Sequence, residues 1–168
     1  MEHRRNPQTY TKFGTTDGVS ITVPAKTGKA NYIDSIHGTT DLNHCTVEVT
    51  SPLSGTVATT SGSATVTGTG TDFINELYVG ACIKVADNSE ILYVQSIESA
   101  TSFTATANSG NNETSSTAVL FLLSMEFSKG AVDNHFEQGL RGVYGKSITA
   151  NMTDSTNACS LTVTAYNT

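Results

Sequence analysis

The groups in this 168-residue chain that could do chemistry are four histidines, three cysteines and fifteen carboxylates. His37 and His44 flank Asp41, and an acid between two imidazoles in a loop could hold a divalent metal. Asp133-Asn-His135 with Glu137 forms a second cluster of the same kind. Such spacings are frequent by chance, so solvated surface histidines are expected at both. Cys45, Cys82 and Cys159 lie far apart, with no Cys-x-x-Cys or Cys/His zinc spacing. Each falls in a strand-like run, which predicts buried free thiols. No Gly-x-Ser-x-Gly elbow is present to raise a nucleophilic serine. Gly68-Thr-Gly70 is too short for a phosphate loop, and no Gly-Lys-Ser/Thr follows. A carboxylate pair for glycoside hydrolysis would meet only in three dimensions, so the sequence places none. The stacking platform that sugar sites favour is tryptophan, and the chain has none. The expectation is no catalytic residue, no metal and no cofactor, with a β-sandwich enzyme as a distant class.

The elements that would have to position these groups are strands. The chain holds 28 Thr, 18 Ser and 14 Gly, while charged residues make up only 14%. Threonine favours strands and Ser/Gly favour turns, so the composition predicts an all-β protein with a hydroxyl-covered surface. It argues against a helical bundle, which would be rich in Ala, Glu, Lys and Leu. With 37% hydrophobic residues and a net charge of -6, the chain can build a core. Its length suffices to bury about 70% of the unfolded surface without staples. The longest apolar run, Ala118-Val-Leu-Phe-Leu-Leu123, is far short of a membrane span. No apolar stretch follows the charged Met1-Glu-His-Arg-Arg5, so synthesis as a soluble protein in the host cytoplasm is expected.

Residues 1–17 have no periodicity, and Tyr10 and Phe13 are their large apolar groups. They are expected to be an extended N-terminal arm. Period-two alternation predicts strands at Val19–Val23, Tyr32–Ile36 and Cys45–Thr50. From about 55 to 116 the texture changes to short, closely spaced strands, as in Ala81–Val85, Ile91–Val94 and Ser102–Ala105. Thr71–Leu77 is predicted as one helical turn capped by Thr71, and Asn108–Ser116 as a loop. Strands return at Ala118–Phe127, Ser147–Met152 and Ala158–Tyr166, with Asp154–Asn157 as a hairpin turn between the last two. Gly139–Gly145 is expected to be a tight corner. The organisation read from this is an arm (1–17), a sandwich (18–54 and 117–168) and an inserted small β-barrel or sandwich module (55–116).

Gly62-Ser-Ala-Thr-Val-Thr-Gly-Thr-Gly-Thr-Asp-Phe73, then Leu77-Tyr-Val-Gly80, Ile83-Lys-Val85 and Val94–Phe103 resemble a small β module. That module recurs in structural proteins of tailed bacteriophages. The chain departs from its pattern at Gly80-Ala-Cys82, where Gly-Asp is usual, so any role of that acid is absent. The outer segments are similar to jelly-roll capsid decoration (cement) proteins of phages. They share a Lys-x-x-x-Ile strand at Lys29–Ile33, and Gly145–Ile148 with Leu161-Thr-Val163 near the end. The resemblance implies a jelly-roll-like antiparallel sandwich and a virion component without chemistry of its own.

Charge suggests how such a protein would attach. Residues 1–29 hold five basic groups against two acids, and the remainder holds four against thirteen. A basic arm on an acidic body suits docking onto a neighbour, including copies of the same chain. Arg4, Arg5, Tyr10 and Phe13 are therefore the expected contacts with the major capsid protein or with another subunit. A dimer or trimer on the outside of the capsid lattice is expected, with no membrane partner. The acidic body repels phosphate, so no nucleic-acid partner is expected either. The alternative is a head- or tail-fibre adhesion module that binds host surface polysaccharide through the inserted segment.

Overall fold

The computed structural model describes residues 6–14, 18–40, 45–127, 130–153 and 159–168. They form an all-β protein with a single helical turn. By contacts the chain divides into two compact units, residues 1–50 with 122–168, and residues 51–121.

The first unit is a jelly roll. Its strands are β1 (Gln8–Gly14), β2 (Val19–Val23), β3 (Asn31–Thr40), β4 (Cys45–Pro52), β11 (Ala118–Phe127), β12 (Gly130–Arg141), β13 (Ile148–Thr153) and β14 (Cys159–Asn167). One sheet has the order β1-β14-β3-β12, and in the other β2, β13, β4 and β11 follow one another. Successive strands thus change sheets everywhere except between β4 and β11, the connection that holds the second unit. Four strands per sheet in this order are the jelly-roll arrangement of two nested Greek keys.

Period-two alternation builds the core between the sheets. Val19, Ile21 and Val23 face inward on β2, Val47 and Val49 on β4, and Leu161 and Val163 on β14. Their neighbours Ser20, Thr22, Glu48, Thr162 and Thr164 face outward. Asn31 and Thr40 are polar residues buried on β3; Asn31 is the one at its start. Its amide Nδ2 donates to the carbonyls of Pro24 (2.9 Å) and Lys146 (3.0 Å), tying two turns to the start of β3. Tyr32 and Tyr166 stack at 5.1 Å beside it, on paired β3 and β14.

The second unit contains β5 (Thr56–Thr59), β6 (Thr65–Thr69), α1 (Phe73–Glu76), β7 (Cys82–Val85), β8 (Ile91–Ser99), β9 (Ser102–Ala105), β10 (Glu113–Ser116) and the start of β11. The strand order is β10-β5-β6-β9-β8-β7-β11. Phe73 and Phe103, both fully buried, meet edge to face at 5.1 Å. Gly68 lets Thr71 and Phe73 close over β6. A Cβ there would lie 2.2 Å from Thr71 Oγ1 and 2.9 Å from the Phe73 ring. Glu76 accepts from Ser54 N (2.9 Å) and Ser54 Oγ (2.6 Å), fixing the helical turn to the entering chain.

Several local expectations are corrected. Residues 8–14, expected in a free arm, are an edge strand paired with β14 from Gln8↔Ala165 to Gly14↔Cys159. Hydrogen bonding, not apolar patterning, places it there, because its inward register is Gln8, Tyr10, Lys12 and Gly14. Lys12 Nζ donates to Ser20 O at 3.3 Å, so an inward-turned charge is satisfied at the sandwich rim. Thr71 does not cap the helical turn: its hydroxyl donates to Ala100 O, and Asp72 holds the N-cap position. Asn108–Ser116 is not all loop, since Glu113–Ser116 pairs with β5. Asp154–Asn157 lies outside the described residues, but β13 and β14 belong to different sheets and so form no hairpin. β12 replaces the expected corner as far as Arg141, with a shift of register between His135 and Leu140.

Candidate functional site

The residue clusters singled out for chemistry do not converge among the described residues. His37 is exposed on β3 and stands in register with Asp133 and Thr162, while Asp41 and His44 lie outside the described residues. His135 Nδ1 lies 3.6 Å from Asp34 Oδ2 at the exposed edge of β12, an ion pair only when the imidazole is protonated. No group of three or more His, Cys, Asp or Glu among the described residues is arranged to hold a metal ion. Cys45 and Cys159 are buried thiols of the jelly-roll core that form no disulfide, and Cys82 is a half-buried one in β7. Burial pushes the Cys82 thiol up, and a hydrogen bond with Tyr93 only partly opposes this. A nucleophilic cysteine needs the reverse shift.

What the fold does assemble is surface. On the outer face of the β1-β14-β3-β12 sheet the registers stack side chains in cross-strand rows. One row reads Thr9, Thr164, Ser35, His135, and the next reads Thr11, Thr162, His37, Asp133. Hydroxyls bond across the strands at Thr9–Thr164 (3.4 Å), Thr11–Thr162 (3.1 Å) and Thr39–Ser160 (2.6 Å). The result is a sheet face of short polar side chains, with its charged and imidazole groups toward the β12 edge.

The four residues expected to attach the protein separate in this fold. Arg4 and Arg5 lie outside the described residues. Tyr10 is half-buried, packs against the jelly-roll core and donates its hydroxyl to Gln8 Oε1 at 2.8 Å. Phe13 is opposite Ser160 in the outer rows and is 78% exposed. An aromatic ring that exposed on a face of hydroxyls is a candidate anchor for another protein. The sequence could single out both aromatics, but only the register tells the inward one from the outward one.

The second unit carries an open, threonine-rich cleft of about 430 Å³ that sequence reasoning missed. Thr59, Thr60, Ser63, Thr65 and Thr67 from β5, β6 and their turn line one side. Asn112, Glu113 and Thr114 line the other. Asn112 Oδ1 accepts from Ser61 N at 2.9 Å, and Glu113 Oε1 accepts from Asn88 Nδ2 at 2.9 Å. These bonds fix an amide and a carboxylate beside the threonine side chains. Ala58 and the threonine methyls supply more of the exposed lining than polar atoms do, with one carboxylate among the lining residues. The expected loop at 108–116 hid this site, because Glu113 and Thr114 are strand residues beside β5.

No family model matches the chain, and no curated protein matches it by sequence. Solved structures give distant likenesses. The penton protein of mavirus is 6% identical, with 98% of this chain and 100% of that one covered and a TM-score of 0.31. The mitogen derived from Yersinia pseudotuberculosis is 6% identical over 96% of this chain and 86% of that one, at a TM-score of 0.22. A chain from the VP16–VP17 complex, the two major capsid proteins of bacteriophage P23-77, is 6% identical over 97% and 100%, at 0.19.

Proposed function

We propose that the protein is a structural component of a tailed-bacteriophage virion, a decoration (cement) protein that binds the outside of the head and stabilises the shell. The observation that carries this reading is the eight-strand jelly roll with a second β unit set between β4 and β11. It joins the sequence resemblance of that second unit to modules of phage structural proteins. The partner is the major capsid protein, and the protein acts as a dimer or trimer on the lattice without catalysis, cofactor or nucleic acid. Phe13, Arg4 and Arg5 remain the proposed contacts of the first unit, while Tyr10 is taken up by the core. Many identical copies on a lattice turn modest single contacts into firm attachment. The test is binding of purified protein to shells that lack it, read by co-sedimentation, with the shells' melting temperature as second readout. Saturable binding and a raised shell melting temperature are expected. Absence of binding overturns the reading.

The threonine-rich cleft, with Asn112 and Glu113 among its lining residues, favours a second reading, a fibre or adhesion module for host surface polysaccharide. Its test is the melting temperature of the protein with and without purified host polysaccharide. A rise that Asn112→Ala abolishes would support this reading over the first.

A further inference from the structure

The outward faces of the jelly-roll strands carry mostly polar side chains, threonine foremost, but one outward face of the second unit does not. On β8, Leu92 and Val94 point into the core, and Ile91 and Tyr93 point out. On β7, Ile83 and Val85 are buried, and Cys82 and Lys84 take the other side. On β11, Ala118 and Leu120 are buried and alternate with the half-buried Val119 and Phe121. The registers Ile91↔Lys84↔Val119 and Tyr93↔Cys82 make these one continuous face. Lys84 lays its ammonium over the Phe121 ring, 5.5 Å from the centroid, so even the charged group covers apolar surface. The chain just before this sheet also exposes Ile74 on α1 and Tyr78 and Val79 in the turn leading to β7, and that turn is bonded to Val94 on β8 through Gly80 N and Ala81 O. Five of the seven exposed large apolar residues among the described ones therefore fall between 74 and 93.

The five side chains together expose on the order of 500 Å², an amount comparable to the largest apolar patch on a typical monomer. Charge selects the occupant. Residues 51–121 carry six carboxylates against the single Lys84, a net of −5. Two copies of this unit set face to face would add like charge to like charge. We infer that this face docks on a different protein surface, one with an apolar centre and a basic rim. Within the virion reading, on which this inference rests, that surface belongs to the shell. The patch is smaller than the ~800 Å² per partner of a standard interface, so each contact is weak alone and firm only in many copies.

The experiment compares wild type with the double variant Ile91→Ser, Tyr93→Ser and with Val79→Ser, whose side chain is 68% exposed and lies outside the core. Binding to shells lacking the protein is measured at low and high salt, and sedimentation of each free protein is measured over a range of concentration. Far-ultraviolet circular dichroism checks folding. Expected are unchanged spectra and weaker binding, roughly 30-fold or more for the double variant and several-fold for Val79→Ser. Wild-type association should slow as salt rises. Equal shell binding by all three proteins overturns this inference and leaves the virion reading intact. No binding by wild type overturns both. A concentration-dependent dimer that both variants lose overturns it as well, because the face would then be a contact between copies. Should the double variant lose its fold, Val79→Ser decides: unchanged binding by it counts against the inference.

Discussion

Asn31 offers the sharpest test of how the jelly roll is held together. The residue is 1% exposed, and its amide satisfies the Pro24 and Lys146 carbonyls at 2.9 and 3.0 Å. Asn31→Ala removes both donors and leaves the Pro24 and Lys146 carbonyls without them. Each lost bond to an acceptor that water cannot fully replace costs about 1–1.5 kcal/mol, so the variant should lose about 2–3 kcal/mol. For a unit of this size that is a fall of roughly 10–20 °C in the calorimetric melting temperature. Asn31→Asp keeps the shape but turns a carboxylate toward two carbonyl oxygens. Its folded pKa must then rise above the ordinary ~3.9, because only the protonated acid can donate. A raised folded pKa means the variant is least impaired below about pH 4 and loses stability, relative to wild type, as pH rises toward its folded value. Urea unfolding of both proteins at pH 3.5 and pH 7 reads this directly. A loss below about 0.5 kcal/mol for Asn31→Ala, or an Asp variant relatively more stable at pH 7, would refute the reasoning.

Three further outcomes follow from particular contacts. Joining Thr50 to Leu122 through a short Gly/Ser turn should leave a folded, soluble β protein, since residues 51–121 contain their own core around Phe73 and Phe103; an unfolded product by circular dichroism would show that the two units share one. Phe103→Ala should cost the second unit about 3–5 kcal/mol by leaving Phe73 beside a cavity, seen as an early unfolding step in calorimetry; an unchanged trace would contradict this. The Glu98 carboxyl should titrate below the ordinary glutamate range, because Ser96 Oγ and Thr104 Oγ1 donate to it. Its depressed pKa favours the folded state above the unfolded value near 4.3, and that gain is lost as pH falls through the folded pKa. Nuclear magnetic resonance titration of Ser96→Ala should show the value move back up, and no movement would exclude the serine as the cause.

Strands that bury one whole face were legible in the sequence. Val19–Val23 and Cys45–Thr50 alternate because inward positions admit only Val, Ile or Cys, while Thr serves outside. Edge strands were not. β12 buries its inner side only in part, so Val132, Asn134 and Phe136 mix with Asp133 and His135, and no clean period survives. β1 is held by its ladder to β14, a force that leaves no apolar signature. Ile91-Leu-Tyr-Val94 and Ala118-Val-Leu-Phe121 read as apolar on both sides, and that much was visible as composition. Composition alone does not say which side such a run buries, and only the fold reveals that Ile91 and Tyr93 meet solvent. The threonine-rich cleft had no sequence signal beyond Thr and Ser, which cover the whole chain.

The measurement that bears most directly on the proposed role is the copy number of this chain in purified virions, obtained by quantitative mass spectrometry against the major capsid protein. A decoration protein bound across the head lattice predicts hundreds of copies per particle, in a simple ratio to the shell subunit. Absence from the particle, or only a few copies as in a fibre or tail part, would contradict it.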